Sequence, residues 1–353
     1  MTNAFDLRAI RIPYSLRHIP REEEFDGIGK MPETPVPGDV VLASIAKIGK
    51  NSALELDDGR RCTLHEGDII AAVFGNRYAT LQFEGLAQTN GDSCDLLSMG
   101  GLCGIVRSRH SKVAEPTRLR LLGTATDRCG NALKLKNHRL PMPIVRKRPH
   151  VVAVCGSSMD GGKTFTAMSL IKGLSNAGKP VAGIKLTGTA TGKDTWNMLD
   201  AGACAAFDFV DGGYPSTYLC DHDELIELRD LLVGQAAFHG ADYVVMEIAD
   251  GLLQRETSML LRSPVFTSGV HSWLFAGGDP MSAESGVRMM RDWGIEPIVV
   301  SGALTMSKLN IGETEAATGM GCMTAGELQA GKLNPMIESR QSQREAKRLR
   351  SVA

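Results

Sequence analysis

A glycine-rich loop between a strand pattern and a helix pattern is the feature that most limits how this chain can fold. The loop reads Gly156-Ser-Ser-Met-Asp-Gly-Gly-Lys163-Thr164. The β-branched run 150–155 before it predicts a buried strand, and the apolar spacing over 165–176 predicts a helix. A strand, a glycine loop and a helix start in this order are the context of a phosphate-binding loop. Backbone N–H groups and the helix N-terminus make such a loop attractive to a polyphosphate.

In such a loop the lysine reaches the β- and γ-phosphates, and the following hydroxyl residue ligates Mg²⁺. Five residues separate Gly156 from the Gly-Lys-Thr triplet, one more than the usual motif contains. A chance Gly-Gly-Lys-Thr is the alternative, and the flanking patterns argue against it. The predicted nucleotide-binding residues are Gly156, Ser157, Ser158, Met159, Asp160, Gly161, Gly162, Lys163, Thr164 and Phe165.

Together with two further motifs, the longer loop resembles dethiobiotin synthetase and its relatives in the SIMIBI class of P-loop NTPases. That family includes amide-forming synthetases, cobyrinate amidases and nucleotide-dependent metallochaperones. The run 179–185 ends in Lys185, 22 residues after Lys163, and is similar to the family's second strand with its lysine aimed at phosphates and substrate. The run 241–251, apolar up to Glu247, resembles the family's Walker B strand. The resemblance covers about residues 150–305.

The resemblance implies roles for several side chains. Lys163, Lys185 and Glu247 would be catalytic, and Thr164, Asp194 and Glu247 would hold Mg²⁺, with Asp200 a rival for the position of Asp194. The resemblance implies ATP as the nucleotide. GTP remains open, because the expected asparagine after the fifth strand is missing until Asn310.

A substrate pocket is predicted from two segments that follow strands. The segment 187–194 is rich in hydroxyls and glycine, so it suits an anionic substrate, although threonines also suit ordinary turns. A second segment follows a predicted fourth strand over 265–269. The candidate substrate-binding residues are Thr187, Thr189, Thr191 and His271.

The length of 353 residues suggests two domains, and the patterns differ between the halves. After an arm over 1–37, short runs broken by glycine turns, with a hairpin signal at 57–59, predict a β-rich barrel or sandwich over 38–145. Over 150–335 strands alternate with helical segments, which predicts an α/β domain with a doubly wound, mostly parallel P-loop sheet. Residues 336–353 form a basic tail, expected to be a solvated helix.

Composition narrows the environment and the partners. A formal net charge of −1 argues against broad capture of nucleic acid, although a local basic groove stays open. Eight cysteines without a CxxC pair suggest reduced thiols and a cytoplasmic protein. With no apolar signal core and no 18-residue apolar run, no membrane association is expected. We expect a small-molecule substrate and a homodimer or larger homo-oligomer.

The sequence favours an Mg-ATP-dependent ligase or kinase that uses the γ-phosphoryl group to activate a small anionic substrate, with a carboxylate preferred. Three alternatives stay open. A nucleotide-dependent switch or metallochaperone has the same loop, but the chain lacks Cys/His metal spacing. A polynucleotide 5′-hydroxyl kinase also sets a β domain before a long-loop P-loop domain. An acyl-CoA-dependent N-acyltransferase would be a transferase on a P-loop fold, since a similar family contains D-glutamate N-acetyltransferases.

Overall fold

The computed structural model describes residues 10–20 and 25–342, which divide into two compact units. Of these described residues, the first unit contains those up to Leu140 together with Gly188–Lys193 and Phe209–Leu219. The second contains Pro141–Thr187, Asp194–Asp208 and the described residues from Cys220 onward. The two short segments were predicted in the second domain. Residues 1–9 and 21–24 of the predicted arm and 343–353 of the predicted tail lie outside the described residues.

The first unit is built from short strands, as its glycine-punctuated sequence predicts. They are β1 Gly27–Gly29, β2 Val40–Lys47, β3 Ala53–Glu55, β4 Arg61–Thr63, β5 Ile69–Phe74, β6 Phe83–Leu86, β7 Ser93–Leu96, β8 Leu102–Arg109 and β9 Thr117–Thr126. The hairpin predicted at 57–59 joins β3 and β4, which pair antiparallel. Gly59 adopts φ 88°, as a tight hairpin turn demands.

Five of these strands close into a barrel. Strand β9 pairs with β2, β2 with β5, β5 with β8, β8 with β7, and β7 again with β9. The β5–β8 pair is parallel and the other four are antiparallel. A core cluster that includes Val41, Ile45, Phe74, Leu96 and Leu119 is buried in this unit. The predicted barrel or sandwich is therefore a barrel, and ring closure removes the free edges of these five strands.

The segment Phe209–Leu219 is held in the first unit by Arg17 and His18, two polar side chains near the start of that unit. Arg17 Nη2 lies 2.8 Å and His18 Nε2 2.6 Å from Asp211 Oδ1, and the side chain of Asp211 is only 6% exposed. The backbone N–H of Leu140 donates to Asp211 O at 2.8 Å. Three separate stretches of chain therefore complete one folded unit.

The second unit contains a six-stranded parallel sheet in the order β12-β11-β13-β10-β14-β15. Its central strands are buried along their whole length, which fits their continuous apolar sequences. The predicted parallel sheet is therefore present. Its strands are β10 His150–Gly156, β11 Val181–Lys185, β12 Ala205–Asp208, β13 Tyr243–Glu247, β14 Ser272–Ala276 and β15 Val299–Ser301.

Helices alternate with these strands. They are α1 Lys163–Asn176, α2 Gly192–Asp200, α3 His222–Phe238, α4 Arg255–Leu261, α5 Pro264–Thr267, α6 Pro280–Asp292, α7 Lys308–Thr318 and α8 Ala325–Gln329. A capping box between Asp221 and Glu224 starts α3, so the acidic sequence there is a helix cap. Within residues 10–20 and 25–342, no helix has the length and apolar character needed to cross a membrane.

The predicted fourth strand over 265–269 is wrong. These residues lie largely in α5, because the Ser263 side chain accepts from the Phe266 N–H and Pro264 occupies the first helical turn. A cap and an N-terminal proline outweigh the short apolar pair that suggested a strand. The strand is instead β14, seven residues further along. Phe165, part of the apolar spacing that predicts the first helix, is 58% exposed.

Candidate functional site

The glycine-rich loop connects the carboxyl end of β10 to the first residue of α1, as the sequence predicts. Gly162 is the N-cap of α1 and adopts φ 93°, a left-handed conformation that favours glycine. The helix behind the loop is 14 residues long, so the positive end of its dipole faces the loop. The second unit therefore has the strand–loop–helix arrangement of a P-loop.

The side chain of Lys163 lies inside this loop. The residue is 5% exposed, and its Nζ donates to Ser158 O at 2.6 Å. Burial lowers the pKa of Lys163, and the carboxylates of Glu247 and Asp250 oppose this change. The ammonium group is thus held by a backbone carbonyl of the loop itself.

Four of the predicted site residues form a continuous polar chain beside the loop. Thr164 Oγ1 donates to Glu247 Oε1 at 2.9 Å. Lys185 Nζ lies 2.6 Å from the same oxygen and 3.0 Å from Asp194 Oδ2. Lys185 and Glu247 end the neighbouring parallel strands β11 and β13 and are partners in register. The structure therefore brings Thr164, Lys185, Asp194 and Glu247 together.

This cluster is largely buried and strongly charged. The side chains of Lys185, Asp194 and Glu247 are 12%, 19% and 1% exposed. Burial alone would lower the pKa of Lys185, but attraction and hydrogen bonds to Asp194 and Glu247 outweigh it and raise the pKa above its ordinary range. Lys185 therefore keeps its positive charge near neutral pH.

Glu247 has one oxygen left over. Its Oε1 serves both Thr164 and Lys185, whereas its buried Oε2 has no hydrogen-bond partner in the described part of the chain. A buried carboxylate oxygen without a donor or cation is costly. A cation or a hydrogen-bond donor that reached this oxygen would remove that cost.

The side chains of this cluster have the chemistry to bind a Mg²⁺ ion that is also coordinated by nucleotide phosphates. Across residues 10–20 and 25–342, no cluster of three or more His, Cys, Asp or Glu side chains could hold a metal by itself. Thr164, Asp194 and Glu247 offer one hydroxyl and two carboxylates, all hard oxygen ligands. Mg²⁺ commonly takes one or two carboxylates and completes its shell with phosphates and water. The set suits a nucleotide-bound Mg²⁺ but not an all-protein cage.

Two of the predicted substrate threonines already have partners within the fold. The Thr187 hydroxyl donates to Ala249 O at 2.5 Å and accepts from Ala249 N at 2.8 Å. The Thr191 hydroxyl donates to Glu55 Oε2 at 2.8 Å within the first unit. Thr189 forms an isolated bridge with Ser216, also in the first unit. The hydroxyls of Thr187 and Thr191 thus hold backbone and loop conformation in this structure.

The structure does not bring His271 to the P-loop. This residue precedes β14, and its Nδ1 accepts from the backbone N–H of Val151 at 2.9 Å, near the start of β10. Strand β10 reaches the loop five residues later, about 16 Å away at the usual rise of a strand. His271 was predicted to follow a strand, but this residue precedes β14. His271 therefore lies at the opposite end of the sheet from the loop.

A short segment after β13, the strap over residues 250–252, also belongs to the site. Its role was not predicted from the sequence. Leu252 N donates to Gly156 O at 3.2 Å. A Cβ added to Gly251 would lie 2.2 Å from Ser157 O, so the strap packs directly on the loop. Asp250 lies between Ala249 and Gly251 in the sequence, and its carboxylate is near enough to raise the pKa of Lys163. The small residues Ala249 and Gly251, shortly after Glu247, were the available signal.

Gly251→Ala should therefore disturb the loop. Overpacking against a backbone oxygen typically costs about 1–3 kcal/mol, so we expect a lower free energy of unfolding and weaker ligand binding. Gly278→Ala is the matched control, because Gly278 lies nearby and has nothing within 4 Å of the added Cβ. Chemical denaturation and ligand titration measure both effects. Equal behaviour of the two variants would contradict the packing of the strap on the loop.

Comparisons with solved structures find 151 similar chains, one of which is described here. No protein-family profile matches the chain. No curated protein matches it. Among solved structures, the chain is similar to the signal recognition particle 54 kDa protein from Aeropyrum pernix K1, solved in complex with GDP, at 18% identity and a TM-score of 0.36. The match covers 58% of this chain and 51% of that protein, so the chain spans about half the length of the protein it matches. The relation to dethiobiotin synthetase stays a prediction.

Proposed function

We propose that this chain is an Mg-nucleotide-dependent enzyme that transfers or uses a γ-phosphoryl group to activate a small anionic substrate. The observation that carries the proposal is the convergence of two lysines with hard oxygen ligands beside one P-loop. Lys163 lies within the loop, and Lys185 is joined to Thr164 through Glu247. The buried Oε2 of Glu247, which has no hydrogen-bond partner in the described part of the chain, offers a further position for a cation or a ligand donor.

Each residue has a role that follows from its chemistry. Lys163 would exchange the Ser158 carbonyl for phosphate oxygens. Lys185 would stabilise the negative charge of the transferring group, since phosphoryl transfer depends mainly on positioning and on electrostatic stabilisation. Thr164, Asp194 and Glu247 would hold Mg²⁺, which supplies neutralisation of the phosphate charge when bound.

A carboxylate acceptor is the preferred substrate class. A carboxylate has no proton to lose when it attacks the phosphoryl group, so it does not need a general base. It needs a cation that attracts it towards the phosphoryl group. Lys185 can provide that cation because it stays charged while largely buried. This assignment makes the enzyme a ligase or kinase. ATP is the expected nucleotide from the resemblance, with GTP as the alternative.

Thermal stabilisation of the purified full-length chain tests the nucleotide assignment. ATP, GTP and acetyl-CoA are compared, each with and without Mg²⁺. A ligand at a hundred times its Kd stabilises a protein by about 2.7 kcal/mol, so a bound nucleotide should give a clear rise in melting temperature that depends on Mg²⁺. Stabilisation by acetyl-CoA alone would favour the acyltransferase. No stabilisation by either nucleotide would contradict the proposal.

A nucleotide that binds is then tested for turnover. Release of the nucleoside diphosphate is measured with carboxylates, amino acids and 5′-hydroxyl oligonucleotides. Stimulation by a carboxylate supports the ligase or kinase. Slow hydrolysis that no small molecule accelerates would favour the switch. Stimulation by oligonucleotides only would favour the polynucleotide kinase.

A further inference from the structure

Lys185 occupies the space between two carboxylates that are assigned to Mg²⁺. Its ammonium lies 2.6 Å from Glu247 Oε1 and 3.0 Å from Asp194 Oδ2. The same Glu247 oxygen also accepts from Thr164. All three predicted Mg²⁺ ligands are therefore connected, directly or through Glu247, to one lysine.

We propose that Lys185 is the resident cation of this site and moves away from the carboxylates when a divalent cation binds. The inference rests on the proposed function, because it takes Asp194 and Glu247 as the Mg²⁺ ligands. Mg²⁺ lies about 2.1 Å from its oxygen ligands. If it bound Glu247 at Oε1, or at the unpartnered Oε2, while Lys185 remained, the two positive charges would share one carboxylate and lie within about 7 Å of each other. Their repulsion in a buried site opposes simultaneous occupancy.

The displaced ammonium needs a new partner. A lysine side chain has a flexible four-carbon stem and three donors, so it can exchange one anion for another by rotating. Nucleotide phosphates or an anionic substrate would offer that partner beside the loop. Nucleotide binding therefore raises the affinity for the divalent cation, and the cation raises the affinity for the nucleotide by the same factor. Lys185 couples the two ligands and holds cation affinity low while the loop is empty.

Mn²⁺ binding to the full chain tests this coupling, because Mn²⁺ accepts the same carboxylate and hydroxyl ligands and free Mn²⁺ has a measurable EPR signal. Wild type, Lys185→Met and Lys172→Met are titrated without nucleotide. Lys172 is an exposed lysine on α1 and serves as the control for a lost positive charge. We expect Lys185→Met to bind Mn²⁺ at least about tenfold more tightly than wild type, within the usual range of coupling between sites. Lys172→Met should match wild type.

A second set of titrations keeps the test decisive. In Lys185→Met/Asp194→Asn one negative charge is removed with the positive one, so the gain in Mn²⁺ affinity should disappear. Adding ADP, corrected for Mn²⁺ bound by ADP alone, should tighten Mn²⁺ binding in wild type and much less in Lys185→Met. Unchanged or weaker Mn²⁺ binding by Lys185→Met overturns the proposal. If Lys185→Met does not fold, Lys185→Gln takes its place. If wild type binds ADP but ADP does not tighten its Mn²⁺ binding, the proposal is also overturned. Failure of every variant and of wild type to bind ADP identifies a failure of the proposed function instead.

Discussion

Replacing Lys163 with alanine should abolish stabilisation by Mg-ATP, or by Mg-GTP if that is the nucleotide, while the unliganded protein stays folded. The ammonium of Lys163 donates to a loop carbonyl, and under the proposed function its loss removes a contact to phosphate. The full stabilisation of about 2.7 kcal/mol at a hundredfold excess over Kd should be lost. Melting curves with and without ligand measure it.

Lys172→Ala is the control for this experiment, since Lys172 is exposed on the same helix. It should keep the whole ligand-induced rise in melting temperature. Equal stabilisation of wild type and Lys163→Ala by the nucleotide would contradict the P-loop assignment itself.

Replacing Lys185 with alanine should retain nucleotide binding but lower kcat about 10²–10³-fold, the usual effect of removing a charge-stabilising donor. The interaction with the transferring group is made mainly in the transition state, so its loss lowers turnover more than affinity. Release of the nucleoside diphosphate in the presence of an identified substrate measures kcat, and nucleotide titration measures affinity separately.

Unchanged turnover of Lys185→Ala would reject a catalytic role for this lysine. The result also bears on the carboxylates, because Asp194 and Glu247 lose the ammonium that neutralises them. A loss of kcat combined with tighter Mn²⁺ binding would show that one side chain serves both the cation site and the reaction.

Part of this site could be predicted because its residues end strands. Lys185 and Glu247 each close an apolar run, and the carboxyl ends of neighbouring parallel strands meet at one edge of a sheet. Their proximity follows from that rule. The partner of Thr187 could not be predicted in this way, because its hydroxyl donates to the backbone carbonyl of Ala249. Every residue has a backbone carbonyl, so the sequence does not show which one a hydroxyl will contact.

The fold was predictable to a similar degree. The strands β11 and β13 lie within the runs 179–185 and 241–251 and end at Lys185 and Glu247 as predicted, since both runs are apolar and have no competing caps. The helix α5 was missed because Ser263 and Pro264 decide the conformation of a segment only four residues long. Closure of the barrel was not predictable, because pairing of β7 with β9 depends on register across the whole unit.

The assembly of the first unit from three stretches of chain has a consequence for its synthesis. Its last stretch ends at Leu219, after the P-loop and three strands of the parallel sheet have already been made. Arg17 and His18 must therefore wait for Asp211, nearly two hundred residues later in the chain. Domains often fold one after another as they leave the ribosome, but here the amino-terminal unit cannot finish first. A nascent chain halted at Leu140 has the strands of the barrel and lacks the carboxylate that these two side chains contact.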